Sequence, residues 1–208
     1  MKKLTAFLLA ALLLLSLTAC AENNSNPTKG TEENKKPETT QATEAPKKDV
    51  TPAEAEAAIA KALGEGYLCT VDIPEEELPL SNMADLDLSK INAYVGKQAA
   101  VAAVNMDTVI VLDCKDGYAE EAVKTLNENF GRTVSYIRQY PFGVAKVEGA
   151  RLYRVDNLVL FILAGAAYSG EDPEAEAKLA ADEYQKIDDA VKGLFGSLPE
   201  NLISVPAR

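Results

Sequence analysis

Three textures of hydrophobic and polar positions follow one another along the 208-residue chain. Residues 4–17 are apolar apart from Thr5 and Ser16. Residues 21–50 hold a single branched aliphatic side chain, Val50, and no aromatic ring. From residue 51 onward the apolar positions become periodic. Some recur every three to four residues, as on one face of a helix; others run on without a break, as in a strand buried on both faces.

The first periodic segment opens with Thr51-Pro52-Ala53-Glu54. Thr51 is a helix cap, Pro52 suits the first helical position, and Glu54 can reach back to complete a capping box. Ala55, Ile59 and Leu63 then share one face, and Gly64 stops the helix. Residues 65–92 are irregular, broken by Pro74, Glu75-Glu76-Glu77 and Pro79, with a short helix over 86–94. Two hairpins are predicted next. One pairs 97–104 with 108–114 across Asn105-Met106-Asp107; the other pairs 145–153 with 158–163 across a turn at 154–157. The runs 109–112 and 158–163 are apolar throughout and read as central strands. Between the hairpins, Ala119, Val123, Leu126, Phe130, Val134 and Ile137 mark a long helix, capped by Asp116, with Gly131 as a candidate bend and Tyr140-Pro141 as its end. A last helix starts at Asp172-Pro173, buries Ala180, Tyr184, Ile187, Val191 and Leu194, and ends at Gly196. The predicted order is α-ββ-α-ββ-α. It is expected to form a single two-layer α+β domain, with a four-stranded, mostly antiparallel sheet and helices on one face.

The first two textures are an address and a tether. Lys2 and Lys3 precede the apolar run of 4–17, which is shorter than the roughly 20 residues needed to cross a bilayer and has the flanks of a secretory signal. It ends in Leu17-Thr18-Ala19-Cys20, which resembles the lipobox of bacterial lipoproteins. That resemblance implies cleavage between Ala19 and Cys20 and a diacylglyceryl group on Cys20, whose two acyl chains anchor stably where one would not. Residues 20–50 then form the lipidated cysteine and a polar tether, too poor in apolar surface to fold and about 30 Å from end to end. The expected organisation is a signal peptide over 1–19, the lipidated tether over 20–50 and a folded body over 51–208.

The body adds a second resemblance. Val109-Ile110-Val111-Leu112, Lys115-Asp116-Gly117, Tyr140-Pro141 and the run 150–163 are similar to an uncharacterised family of Gram-positive bacterial lipoproteins whose shared domain has no assigned function. The chain departs from that pattern at the second hairpin turn, where Asp156-Asn157 stands in place of Gly-Asn. The resemblance implies a location and a fold, and no activity.

Composition narrows the chemistry. The chain has no histidine, which removes Ser-His-Asp triads, Cys-His pairs and His-ligated metals. The net charge is −11, and the body alone carries −12, so nucleic acid is excluded as a partner. No serine stands in a Ser-x-x-Lys or Gly-x-Ser-x-Gly pattern, and no glycine-rich phosphate loop is present. Cys69 and Cys114 are either a disulfide or two separate buried thiols. The acidic pairs Asp85/Asp87, Asp113/Asp116 and Asp188/Asp189 are candidates for hydrolysis or for a hard cation, although Leu88 stands where a calcium loop would place its next ligand.

Against the acidic total, residues 124–154 are net +4 and interleave Arg132, Arg138, Lys146, Arg151 and Arg154 with Tyr140 and Phe142. This is a candidate patch for a cell-wall polymer or an acidic envelope protein. The expected function is that of a lipid-anchored, extracytoplasmic, non-enzymatic interaction or ligand-binding module that needs no cofactor and no metal. Its alternative is an extracytoplasmic hydrolase that works through carboxylates or a metal.

Overall fold

The computed structural model describes residues 49–101, 105–141 and 143–208. The expected signal peptide with Ala19, the expected lipidation site Cys20, the expected tether up to residue 48, and Phe142 lie outside them. Helix α1 (Pro52–Leu63) begins as expected: the Thr51 side chain accepts from the Glu54 N–H at 3.3 Å, and Glu54 Oε2 accepts from the Thr51 N–H at 3.0 Å. Gly64 closes it with a positive φ.

The sheet has five strands: β1 (Val71–Asp72), β2 (Ile91–Gln98), β3 (Thr108–Cys114), β4 (Arg151–Val155) and β5 (Leu158–Leu163). They lie in the order β1-β2-β3-β5-β4, and every neighbouring pair is antiparallel. The fold is therefore α+β with an open antiparallel sheet, as the pattern predicts, but with one strand more. That strand is a two-residue edge inside a segment that reads as irregular, too short to carry any periodicity.

The first hairpin also differs from expectation. The partner of β3 is Ile91–Gln98, and Gln98 pairs with Thr108, so the connection is far longer than three residues. Only Gly96 is fully buried along β2, so that strand lacks the apolar alternation a reader looks for. The helix expected over 86–94 shrinks to a single 3-10 turn, Leu88–Lys90, entered through Asp87, whose side chain accepts from the Ser89 N–H at 3.1 Å. The second hairpin forms with a two-residue turn in which Asp156 takes φ 53. The residues before it, Val144–Glu148, form a short helix, α3, instead of strand.

Helix α2 (Ala119–Ile137) is continuous through Gly131. A Cβ there would sit 3.6 Å from Pro206, so the glycine faces the chain's last residues. Tyr118, with no side-chain cap bond, stands at its N-cap. The expected cap, Asp116, instead accepts from Asn157 Nδ2 at 2.6 Å, tying the helix entry to the second hairpin turn. Helix α4 (Pro173–Phe195) is capped by Asp172 and closed by Gly196, both as expected.

The placement of helices on a single face is overturned. Ile110, Leu112, Val159, Phe161 and Leu163 pack against Ala122, Leu126, Phe130 and Val134 of α2. Val109, Val111, Leu160 and Ile162 point the other way, against Ala55 and Ile59 of α1 and Ile187 and Val191 of α4. The reason is the side-chain alternation of strands. β5 is buried at every position, so both its faces need cover. Cys114 belongs to the α2 side and Cys69 to the α1/α4 side. The sheet stands between them, so the disulfide is not formed, and both are free, buried thiols.

Residues 201–204 lie along the outer edge of β4. The Leu202 N–H donates to the Leu152 carbonyl at 2.7 Å, and the Leu152 N–H donates to Asn201 Oδ1 at 2.9 Å. Asn127 of α2 secures this segment from beside: its Nδ2 donates to the Leu202 carbonyl at 2.9 Å, and its Oδ1 accepts from the Ser204 N–H at 2.7 Å. An open strand edge is thereby covered. Among the described residues, no helix is long and apolar enough to cross a membrane.

Candidate ligand-binding site

A cavity of about 330 Å³ opens at the end of the sheet where β3 begins and β5 finishes. Its apolar wall comes from five places: Met106 before β3, Ile137 at the end of α2, Val147 of α3, Leu163 of β5, and Leu179 and Ala180 of α4. Gly143, with φ 82, brings the chain past Ile137, where a Cβ would come within 3.2 Å of the Ile137 Cδ1. A larger residue there would be strained and crowded together.

Three ionic side chains face this apolar wall: Asp107, Lys146 and Glu176. Asp107 is 1% exposed, and Lys146 Nζ stands 2.5 Å from its Oδ1. This is an ion contact, for neither oxygen of Asp107 has an aligned hydrogen bond. Lys146 Nζ also donates to the Gly165 carbonyl at 2.9 Å. The Lys146 carbonyl in turn accepts from the Tyr184 hydroxyl at 2.8 Å, which fixes α3 against α4. Burial pushes the Asp107 carboxyl above its ordinary value, opposed by the neighbouring ammonium.

Glu176 is the exceptional member. It lies on the inward stripe of α4, in series with Ala180, Tyr184, Ile187 and Val191. It is 7% exposed, and its Oε1 is buried with no hydrogen-bond partner among the described residues. Two helical turns further on, Glu183 gives the contrast. It is just as buried, but it accepts from the Ala166 N–H at 2.9 Å and meets Lys186 Nζ at 2.5 Å. Gly66 leaves the room for it: a Cβ there would fall 2.4 Å from Glu183 Oε2. The fold thus builds a nest for one buried acid and leaves the other facing a cavity. Buried polar atoms are paired as a rule, so the exception has a meaning.

The basic stretch does not assemble into one patch. Each cation has its own acid: Arg132 with Asp85 at 3.9 Å, Arg138 with Glu148 at 2.8 Å, Arg151 with Asp188 at 2.9 Å and Arg154 with Glu120 at 4.0 Å. Lys146 turns inward to Asp107. Tyr140 remains exposed, its hydroxyl 3.1 Å from that of Tyr136. Contiguity in sequence does not survive folding because these residues span α2, α3 and β4, whose exposed faces differ.

The acidic pairs are likewise dispersed. Asp87 serves the 3-10 turn, Asp116 binds Asn157, Asp188 receives Arg151 and Tyr153, and Asp189 accepts from Gln185. Among the described residues, no group of three acidic or thiol side chains is placed to hold a metal ion. Both thiols are shielded by burial. The Cys114 thiol is pushed up to about 11, and that of Cys69 higher still. A thiol held in its neutral form is a poor nucleophile.

Sequence reasoning singled out Lys146 but neither acid of the cavity. Asp107 reads as a turn residue, and Glu176 as a favourable acid in the first turn of a helix. The available signal was positional: Glu176 is four residues before Ala180, hence on the apolar stripe. Comparison with protein-family models, with curated proteins and with solved structures finds no match to the chain.

Proposed function

We propose that this chain is a lipoprotein anchored through Cys20 on the extracytoplasmic face of the cell membrane, with a non-enzymatic body that binds a small ligand. The address rests on the lipobox and the charged, apolar and small-residue order before it. The likeness to the uncharacterised Gram-positive lipoprotein family supports the same reading. Membrane lipid is then the partner of the N-terminus.

The binding role is carried by one observation: a largely apolar cavity that holds, beside a buried ion pair, a buried carboxylate with one oxygen unpartnered among the described residues. Small-molecule sites are concave and mostly apolar, with a few convergent polar groups, and begin at about 300 Å³. A structural core would either pair Glu176, as it pairs Glu183, or replace it with an apolar residue.

Two measurements test the two halves. Mass spectrometry of the mature N-terminus is expected to find a diacylglyceryl-modified Cys20; an unmodified terminus overturns the anchor. Calorimetric titration of the full chain in lipid nanodiscs with 2-phenylethanol, against empty discs, is expected to give saturable binding that Ala180→Phe abolishes by filling the cavity. Binding undiminished by Ala180→Phe overturns the binding site.

A further inference from the structure

We infer that the ligand of this cavity is an organic cation, an ammonium group on an apolar body, with Glu176 as its counter-charge. The inference rests on the reading of the cavity as a binding site and adds the sign of the ligand.

The cavity contains two carboxylates and one ammonium. Lys146 is already engaged: one contact is to Asp107 Oδ1 at 2.5 Å and another to the Gly165 carbonyl at 2.9 Å. Its charge is thus opposed locally by Asp107. Asp107 lacks an aligned hydrogen bond but has the Lys146 ammonium against it; Glu176, whose Oε1 is out of solvent, has no donor to that atom among the described residues. An ionised carboxylate in a low-dielectric wall is costly unless a cation or several donors meet it. An ammonium supplies three N–H donors and the missing charge together.

The opposite sign fits poorly. An anionic ligand would find on Lys146 a charge already opposed by Asp107 and at most one remaining N–H, and it would face Glu176 as a like charge. A neutral alcohol would satisfy one oxygen and leave the charge uncompensated. Apart from Asn105 and Tyr168, the rest of the wall is apolar: Met106, Ile137, Val147, Leu163 and Leu179 suit a hydrocarbon or aromatic body, not a second charged end. Glu183 does not compete for the ligand, because the Ala166 N–H and Lys186 already occupy it.

The test compares three probes of one shape: 2-phenylethylamine, 2-phenylethanol and 3-phenylpropanoate, each titrated into nanodiscs carrying the full chain, with empty discs as blank. The ammonium is expected to bind at least about tenfold more tightly than the alcohol, since it adds a counter-charge and further N–H donors to the one hydrogen bond the alcohol can make. The carboxylate is expected to bind most weakly. Glu176→Gln, which keeps the shape, is expected to bring the amine down to the level of the alcohol and to leave the alcohol unchanged. Lys186→Ala, beside the occupied acid, is expected to change none of the three.

Alcohol binding without any advantage for the amine overturns the cationic ligand and leaves the binding site standing. Carboxylate binding as tight as that of the amine, or a Glu176→Gln variant that keeps the preference for the amine, overturns it as well. Failure of all three probes overturns the site itself.

Discussion

Arg151 and Asp188 meet side by side, with Nε 2.9 Å from one carboxylate oxygen and Nη2 3.1 Å from the other. The guanidinium also lies over the Tyr184 ring at 4.8 Å, and the Tyr153 hydroxyl donates to the same aspartate at 2.5 Å. This junction ties β4 to α4 and withdraws Arg151 from any surface role. The side chains are 22% and 13% exposed, so solvent screens them little. Asp188→Asn is expected to lower the unfolding free energy by about 3 kcal/mol, as for other broken buried pairs. Urea unfolding of Asp188→Asn, Arg151→Met and the double variant checks this. A double variant that loses the full sum of the single losses would show no coupling.

Glu176 and Glu183 are expected to respond oppositely to the same change. Glu176→Leu removes a buried acid whose Oε1 has no partner among the described residues and places an apolar side chain in an apolar stripe, so stability should rise by about 1–2 kcal/mol. Glu183→Leu strips the Ala166 N–H of its acceptor and Lys186 of its counter-charge, so stability should fall by a similar amount. Thermal denaturation of the two variants decides it. A gain of stability at a site that costs binding is the usual signature of a functional residue.

The buried thiols give an alkaline prediction. The Cys114 thiol titrates near 9.0 when unfolded and near 11 when folded. Between these values the unfolded chain loses a proton that the folded chain keeps, so the unfolded state gains and stability falls as pH rises. The contribution is complete below pH 9 and gone above pH 11. Unfolding free energy measured from pH 8 to 11 should decline, and Cys114→Ala should decline less steeply. Native protein should also resist maleimide at pH 7 until denaturant is added.

How much of this was legible depends on burial. α1, α4, β3 and β5 have uninterrupted apolar patterns, and each lies where its pattern puts it. β1 and β2 do not, because one has two residues and the other buries only Gly96. The run 145–150 suggests strand by its apolar residues, yet Val144–Glu148 closes into helix after the left-handed Gly143. The two-sided cover of the sheet was implicit in 158–163, whose every residue is apolar. At the site, Lys146 carried a signal and the acids did not. A charge on an apolar stripe is visible only once the stripe is extended past its last apolar residue.

The covered edge of β4 predicts a change in association. Asn201→Ala removes the acceptor of the Leu152 N–H and loosens the segment that hides the strand. The expected cost is about 1–3 kcal/mol. Light scattering at raised protein concentration should then detect more self-association than the parent chain shows, since an uncovered edge invites another strand. A variant that stays monomeric at equal stability would assign the segment no protective role.

The pairing of β3 with β5 sets the tempo of folding. Asp113 lies opposite Leu158, and all of α2 and α3 falls between them in the chain. Until that long loop closes, α2 has no sheet to pack on from one side and α1 and α4 have none from the other. Closure therefore has to be endured before either half of the interior rewards it. The slow event expected in reaching the native state is this single strand encounter, and a newly made chain is open to proteases until it has occurred.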